Sequence, residues 1–218
     1  MGNNENNLEN YRKSYEKNAL SRDNLNENPF QQFRTWFTEV DEAGNVDEAN
    51  AMTISTIGVD GFPKSRVVLL KSYDEYGFVF YTNYNSEKGQ AILNNPKVCL
   101  SFFWPSAERQ IIIKGIAEQM SDEESSRYFQ SRPKGSQLGA IVSPQSQEIK
   151  NRQVLEERLK SLEEEYKDKE VEKPQHWGGF RVSPHSFEFW QGRPNRLHDR
   201  FLFEKDGEYD WNIKRLAP

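Results

Sequence analysis

The stretch AMTISTIGVDGFPKSRVVLLK, residues 51–71, decides the fold. Its first part, Ala51–Ile57, follows a period of two residues, which is typical of a strand with one buried face. Asp60-Gly61 is a strong signal for a hairpin turn, and a second strand pattern covers Lys64–Lys71. This stretch therefore predicts two antiparallel strands joined by a tight turn.

Further strands are expected on the C-terminal side of this hairpin. Their predicted ranges are Phe78–Thr82, Lys97–Trp104, Gln110–Gln119, Trp177–Val182, Ser186–Gln191, Arg200–Glu204 and Tyr209–Ile213. Turn signals at Asp74–Gly77 and at Asp206-Gly207 precede two of them. Because only one helix interrupts the first five strands, we expect a meander with antiparallel pairing in a barrel, rather than a doubly wound parallel sheet.

Helical periodicity fills the segments between and before the strands. Asn28 can cap a helix that Pro29 begins and Gly44 ends, and Ser121 with Glu124 forms a capping box at the start of another, which runs to Ser131. The other helical segments are Leu8–Leu20, which is weakly periodic, Ser86–Asn94, Ser136–Val142 and Asn151–Lys167. The leucines of the last segment suit packing on the chain's own barrel better than a coiled coil, because two heptads are too few for one.

Length and composition exclude several classes of protein. The chain has 218 residues, a net charge of −5 and one cysteine, Cys99. The apolar runs, such as Val67–Leu70, are far too short to span a bilayer. The negative net charge disfavours non-specific electrostatic binding to nucleic acid. A single cysteine permits no intrachain disulfide and no cysteine-built metal site. We expect a disordered arm over residues 1–10 and a single domain over residues 11–218, and the N-terminal residues lack the apolar stretch of a secretory signal, which favours a cytoplasmic protein.

The clearest candidate for chemistry is the segment Asn195–Arg200. In an extended chain alternate side chains share a face, so Arg196, His198 and Arg200 would project together. Three potential cations repel one another unless an anion lies between them, and Arg binds phosphate through two parallel hydrogen bonds. The alternative is a solvated edge strand whose cations pair with Asp199 and other carboxylates.

Three further basic clusters could also bind an anion. Arg66 and Lys71 bracket an apolar run, but five residues apart they fall on opposite faces of a regular strand unless a bulge intervenes. Ser86–Lys88 opens a helix, which suits either a phosphate or an ordinary helix cap. Arg132–Ser136 is a polar basic loop. The three histidines show no metal-ligand spacing and no nucleotide-binding motif is found, so no metal is expected.

Taken together, these segments resemble the pyridoxamine 5′-phosphate oxidase family, from about Arg12 to the end of the chain. The motifs that carry the resemblance include Arg66–Lys71, Phe80–Asn83, Glu108–Gln110, Tyr128–Pro133, Val142–Ser146, Trp177–Phe180, Phe189–Gly192, Arg196–Phe201 and Arg215–Pro218. The resemblance implies a mainly β protein, with an antiparallel split β-barrel of the FMN-binding type and flanking helices. It also implies a homodimer that binds FMN at the interface between its subunits.

The resemblance also implies which residues form the site. FMN would be held by Arg66, Lys71, Tyr81, Thr82, Lys88, Gln110, Gln145, Ser146, Trp190 and Arg200. The substrate's phosphate and ring would be held by Lys71, Tyr128, Arg132 and Ser136, with Arg196 and His198 over the reacting carbon as the catalytic residues. The chain departs from the family pattern at Glu87, where an arginine is usual, and at Glu48–Met52, where the family has Asp-Pro-Thr-Ala-Met.

The function implied by the resemblance is FMN-dependent oxidation of pyridoxamine and pyridoxine 5′-phosphates to pyridoxal 5′-phosphate, in vitamin B6 metabolism. Oxygen would be the acceptor, giving hydrogen peroxide, and the amine substrate would also release ammonia. The alternatives are a non-catalytic split-barrel protein that binds FMN or pyridoxal phosphate, and a related flavin reductase. Arg196 and His198 together with the segment Tyr128–Ser136 favour the oxidase, because a simple flavin binder needs no second phosphate site.

Overall fold

The computed structural model of the chain describes residues 8–207 and 210–218. Its helices are α1 (Pro29–Glu42), α2 (Glu87–Asn94), α3 (Asp122–Ser131), α4 (Lys134–Val142) and α5 (Gln153–Glu165). Its strands are β1 (Ala51–Ile57), β2 (Pro63–Leu69), β3 (Ser72–Asp74), β4 (Gly77–Asn83), β5 (Lys97–Trp104), β6 (Arg109–Gln119), β7 (Trp177–Gln191), β8 (Asp199–Asp206) and β9 (Asp210–Leu216). Most of the predicted elements are therefore confirmed to within a few residues. Within the described residues, none of the helices combines the length and the apolar composition that a membrane span requires.

The chain divides into two compact units. The terminal unit comprises the chain up to Ala49, Phe103–Ile111 and Phe187–Pro218. The central unit comprises Asn50–Phe102 and Ile112–Ser186. Strands β5, β6 and β7 contribute residues to both units. The predicted boundary between an arm and a single domain at residue 11 stays a prediction, and residues 1–7 of that arm lie outside the described residues.

The hairpin predicted from residues 51–71 is present in the central unit. Strands β1 and β2 pair antiparallel, from Ala51 opposite Leu69 to Ile57 opposite Pro63. Between them Gly61 has a φ of 82°, a backbone conformation that glycine adopts without steric cost. The Asp-Gly signal therefore located the turn because the chain needs a left-handed residue there.

The strand order is β2-β1-β5-β6-β7-β4-β3, with β8 beside β7 and β9 beside β8. The predicted meander is wrong in two respects, because β5 pairs with β1 and not with the strand before it, and because β4 lies between β3 and β7. Strand β4 is buried along nearly its whole length, so hydrogen-bond partners are needed at both of its edges. Strand β3 supplies them on one edge, and the start of β7 supplies them on the other.

Strand β7 is continuous, whereas the sequence predicted a break between Val182 and Ser186. Two glycines on neighbouring segments lie against the backbone of β7 near this position. A Cβ at Gly77 would lie 2.2 Å from the Val182 carbonyl oxygen, and a Cβ at Gly115 would lie 2.5 Å from that of Ser183. The strand includes Pro184, although proline lacks the N–H donor of a regular ladder.

The core of the terminal unit is built on α1. Asn28 caps the helix, because its side-chain oxygen accepts hydrogen bonds from the N–H groups of Phe30 and Gln31 at 2.9 and 3.3 Å. Phe33 and Trp36 are buried on its inner face, and Trp36 makes an edge-to-face contact with Phe189 of β7 at 5.4 Å. The cap and the proline at the first position are both confirmed.

The helix predicted over Leu8–Leu20 is wrong, because none of these residues is helical. Three backbone N–H groups in the second half of this segment bind distant side chains. Those of Glu16 and Lys17 donate to the carboxylate of Glu108, and that of Leu20 donates to Asp199. Tertiary hydrogen bonds thus override a weak local preference.

Substituting Asn28 tests the local basis of α1. We expect Asn28→Ala to destabilise the protein by about 1 kcal/mol, because two helix N–H groups lose their acceptor. Asn28→Asp keeps an acceptor and should unfold near the wild-type urea concentration when followed by circular dichroism. An Asn28→Ala variant as stable as the wild type would contradict the role of the cap.

Candidate functional site

The central unit contains a cationic cavity of about 650 Å³, which we call the central cavity. Its wall includes three basic side chains, Lys71, Lys88 and Arg132, and among the described residues that line it there is no carboxylate. The neutral polar side chains of the wall are those of Tyr81, Thr82, Asn83, Tyr128, Ser136, Ser143 and Gln145. Cations and neutral donors without a counter-charge attract an anion.

Lys88 is held at this cavity by the start of α2. Ser86 caps the helix, with its hydroxyl accepting from the Gly89 N–H at 3.2 Å and donating to the Asn83 carbonyl at 2.6 Å. The Lys88 ammonium donates to Thr82 Oγ1 and to Gln145 Oε1, both at 2.8 Å. Burial, and secondly the nearby charge of Arg66, lowers the pKa of Lys88 to about 8. A bound anion would remove this penalty.

Arg132 follows α3 and has an aromatic environment. The carbon at the centre of its guanidinium lies 4.7 Å from the ring centroid of Trp177 and 5.9 Å from that of Phe129. One guanidinium nitrogen, Nη1, is buried and has no hydrogen-bond partner in the described part of the chain. A buried N–H without an acceptor is costly, so an acceptor from a ligand would stabilise this arrangement.

Three aromatic rings form one wall of the cavity. The rings of Tyr81 and Tyr128 are stacked at 3.9 Å, and Tyr81 and Trp177 are stacked at 5.4 Å. Tyr81 pairs across the strands with Gly179, where a Cβ would lie 2.9 Å from the tyrosine ring. Burial raises the pKa of both tyrosines, so their hydroxyls remain hydrogen-bond donors at neutral pH. Such a wall suits a planar ring that carries an anion.

The remaining site residues predicted for this unit have different positions. Lys71 lies beyond the end of β2 and lines the cavity. The expectation that Lys71 and Arg66 fall on opposite faces of one strand therefore does not apply to it. Arg66 stays on β2 and donates to Thr56 Oγ1 at 2.6 Å, outside the residues that line the cavity. Ser146 also lies outside the lining, in a left-handed conformation with a φ of 70°.

Glu87, where the chain departs from the family pattern, binds a neighbouring cation. Its carboxylate and the Lys64 ammonium are 2.6 Å apart, and both side chains are largely exposed. Glu87, at the start of α2, is therefore paired with a lysine of β2.

The terminal unit has a second cleft, of about 660 Å³, which we call the terminal cleft. Arg196 and His198 line it together with Arg193, Asn195 and the segment Tyr11–Tyr15. The extended conformation predicted for Asn195–Arg200 is wrong, because Asn195 and Arg196 are left-handed, with φ of 57° and 62°. A short turn over Pro194–Arg196, closed by the Leu197 N–H on the Pro194 carbonyl, replaces the strand.

His198 is fixed from two sides in this cleft. Its Nδ1 accepts the Arg193 N–H at 3.0 Å, which leaves Nε2 as the protonated nitrogen of the neutral ring. Its ring lies 4.7 Å from Trp190 and 5.9 Å from Tyr15. Desolvation, and secondly the charge of Arg196, lowers the pKa of His198, so the ring is neutral at pH 7.

Arg200 does not share a face with Arg196 and His198, contrary to prediction. It lies on β8 and binds the Glu188 carboxylate and the Ala217 carbonyl, each at 2.8 Å. The left-handed turn before β8 breaks the alternation on which the shared face depended. Gln110 is half-buried on β6 in the same unit.

Sequence reasoning missed four residues that shape these two sites. Trp177 and Asn83 line the central cavity, Tyr15 lines the terminal cleft, and Glu108 binds the segment that carries Tyr15. The Trp-Gly-Gly signal at Trp177 was visible in the sequence, since paired glycines indicate close backbone approach. Glu108 belongs to the motif Glu108–Gln110, but no local signal shows what it binds, because its partners lie about ninety residues away.

Two family models match most of the chain. The model described as Pyridoxamine 5′-phosphate oxidase matches residues 39–165. The model described as Pyridoxine 5′-phosphate oxidase C-terminal dimerisation region matches residues 177–218.

The chain is also similar over nearly its whole length to curated proteins with the name pyridoxine/pyridoxamine 5′-phosphate oxidase. It is 59% identical over 212 residues to the protein from Flavobacterium johnsoniae, which covers 97% of this chain and 99% of the relative. It is 55% identical over 214 residues to the protein from Christiangramia forsetii, with 98% and 100% covered.

Solved structures show the same fold. PhzG from Burkholderia lata, solved in complex with tetrahydrophenazine-1-carboxylic acid, has a TM-score of 0.85 and 27% identity over 92% of this chain and 98% of that chain. An FMN-binding protein from Nostoc punctiforme, related to pyridoxamine 5′-phosphate oxidase, has a TM-score of 0.69 and 15% identity, with 87% and 97% covered. The predicted fold class, a mainly β antiparallel split barrel with flanking helices, is confirmed.

The lowered pKa of Lys88 predicts how anion binding depends on pH. Sulfate keeps its charge in this range, so its affinity should fall by up to about tenfold between pH 7 and pH 9, as Lys88 loses its proton. Lys88→Arg stays protonated and should bind sulfate with nearly constant affinity, measured by isothermal titration calorimetry. Equal slopes for the wild type and the variant would exclude Lys88 from the anion site.

Proposed function

The chain belongs to the pyridoxamine 5′-phosphate oxidase family and is an oxidoreductase of vitamin B6 metabolism, and we propose that it uses FMN to oxidise pyridoxamine and pyridoxine 5′-phosphates to pyridoxal 5′-phosphate. Oxygen is the proposed electron acceptor, with hydrogen peroxide as its product. The proposed location is the cytoplasm. The observation that carries this proposal is the central cavity, where three cations line one space that holds no carboxylate among its described lining residues.

The residues present fit FMN and a phosphorylated substrate. Each of these molecules brings a phosphate and a planar ring, and the cavity offers ammonium and guanidinium donors beside a stacked aromatic wall. The buried Nη1 of Arg132 has no acceptor of its own among the described residues. FMN, when bound, supplies the two-electron acceptor for hydride from the exocyclic carbon of the substrate.

We assign ten residues to the binding of FMN. Those in the central unit are Arg66, Lys71, Tyr81, Thr82, Lys88, Gln145 and Ser146, and those in the terminal unit are Gln110, Trp190 and Arg200. Lys88 would bind the phosphate, since its ammonium is buried and has only neutral partners. Arg66 and Ser146, which lie outside the lining, would reach FMN only at the edge of the cavity.

We propose that the protein is a homodimer. The C-terminal residues 177–218 match a dimerisation region, and this range includes Trp190, Arg196, His198 and Arg200. We propose that FMN lies at the interface, with each cofactor held by residues from both subunits. Dimerisation then becomes a condition for cofactor binding.

The substrate would be held by its phosphate at one end and by its reacting carbon at the other. Lys71, Arg132 and Ser136 would bind the phosphate, and Tyr128 would stack against the ring. Arg196 and His198 would lie over the reacting carbon. His198 is neutral and its free Nε2–H can donate a hydrogen bond, while Arg196 supplies a fixed positive charge.

The alternative of a non-catalytic flavin binder accounts for fewer of these features. A flavin binder needs one phosphate site. Here Lys88 lies among hydroxyl and amide groups, whereas Arg132 lies among aromatic rings. Two cations in two different environments suit two phosphates, one from FMN and one from the substrate.

Oxygen consumption by the purified protein tests the proposed function. With FMN present, pyridoxamine 5′-phosphate should drive oxygen uptake and produce equal amounts of hydrogen peroxide and pyridoxal 5′-phosphate. Sedimentation of the same sample should show a dimer with the absorbance of bound flavin. A dimer that binds FMN but takes up no oxygen with either phosphate would contradict the oxidase and favour the non-catalytic binder.

Arg132→Leu tests the substrate phosphate site. The KM for pyridoxamine 5′-phosphate should rise by about 10- to 100-fold, because a charge-assisted hydrogen bond contributes about 1.5–3 kcal/mol. FMN affinity should stay close to the wild-type value. Arg152→Leu, which removes an exposed arginine on the N-terminal side of α5, is the matched control and should leave KM unchanged. An unchanged KM in Arg132→Leu would remove Arg132 from the substrate site.

A further inference from the structure

A short segment near the N-terminus is held in place by one buried carboxylate. We call Lys13–Lys17 the strap. Glu108 Oε2 accepts the backbone N–H groups of Glu16 and Lys17 at 2.9 and 3.0 Å. The Lys13 ammonium lies 3.5 Å from Glu108 Oε1, and the Lys17 ammonium donates to the Ser106 carbonyl. The strap therefore has four contacts with the turn between β5 and β6.

Glu108 is itself fixed. Its side chain is only 2% exposed, and its backbone is left-handed, with a φ of 56°. A residue with a side chain pays energy for this conformation, and such residues concentrate at functional sites. The Glu108 carbonyl accepts the Gly192 N–H at 2.7 Å and the Gln191 amide at 3.1 Å. A rigid carboxylate thus faces the strap.

The strap places an aromatic ring beside the proposed catalytic histidine. The ring of Tyr15 lies edge-on to Trp190 at 5.7 Å and 5.9 Å from His198. Gly192 makes room for it, because a Cβ at that position would lie 2.8 Å from the tyrosine ring. The same glycine binds the Glu108 carbonyl, so one turn fixes both the strap and the surface on which Tyr15 rests.

We propose that Glu108 is a positioning residue, whose carboxylate holds the strap so that Tyr15 keeps His198 in place against Trp190. Its effect on turnover rests on the proposed function of Arg196 and His198. Its effect on the strap does not, because the hydrogen bonds of Glu16 and Lys17 can be measured without any substrate.

Two variants separate the contributions of the carboxylate. Glu108→Gln keeps an oxygen that can accept both backbone N–H groups, but it loses the ion pair with Lys13. Glu108→Ala loses all of these contacts. The matched control is Glu39→Gln, which removes a carboxylate that pairs with Arg109, the residue after Glu108. Among the interactions described, Glu39 has no hydrogen bond or ion pair with the strap.

Hydrogen exchange measured by mass spectrometry on the dimeric protein gives the direct test. In Glu108→Ala, amide exchange in the peptide that contains Glu16 and Lys17 should accelerate by at least about tenfold, the effect of losing one charge-assisted hydrogen bond. Glu108→Gln should lie between this variant and the wild type, and Glu39→Gln should match the wild type in this peptide. Unchanged exchange at the strap in Glu108→Ala would overturn the proposal, and so would an equal acceleration throughout the chain.

Steady-state kinetics then test the effect on the site. Glu108→Ala should lower kcat/KM for pyridoxamine 5′-phosphate by about tenfold, and Glu108→Gln should recover part of the loss. A faster-exchanging strap with unchanged kinetics would overturn the positioning role. If the wild type showed no oxidase activity at all, the exchange experiment would still decide whether Glu108 holds the strap, so failure of the proposed function is distinguishable.

Discussion

Cationic charge without a counter-charge is the constraint on which the central unit depends. Lys71, Lys88 and Arg132 line one cavity, and no carboxylate belongs to its described lining. Hydroxyl and amide oxygens solvate Lys88, and aromatic faces cover Arg132, but neither cancels the charge. The lowered pKa of Lys88 and the unpartnered Nη1 of Arg132 record the cost. A site of this kind is built for a ligand that brings its own negative charge.

The terminal unit handles its charges differently. Arg200 binds Glu188, and Arg215 and Arg193 both approach Asp199, so most of its cations have counter-charges. Its distinctive feature is a neutral histidine with a fixed tautomer, held among Trp190, Tyr15 and the backbone of Arg193. Precise placement of one ring requires left-handed residues nearby, at Asn195 and Arg196, and the strap that Glu108 binds. The central unit thus has a cationic cavity, whereas the terminal unit fixes the ring of one neutral histidine.

Local signals in the sequence predicted the elements that local forces determine. The cap at Asn28, the capping box at Ser121 and the turn at Gly61 are examples, because their partners lie within a few residues. Two errors share one cause, which is long-range bonding. Residues 8–20 bind Glu108 and Asp199, and β4 pairs with β7. The third error has a local cause, because left-handed residues at Asn195 and Arg196 replace the extended segment with a turn. The cations of the site were visible as clusters, whereas the rings that cover Arg132 come together only in the folded chain.

The central claim is that clustered cations bind FMN chiefly through its phosphate, and comparing FMN with riboflavin tests it most directly. Both have the same ring, so fluorescence titration of the cofactor-free protein isolates the phosphate. The account predicts that FMN binds at least about 100-fold more tightly at low salt, and that the difference shrinks as the ionic strength rises. Equal affinities for the two flavins would contradict it, because the ring contacts alone would then account for binding.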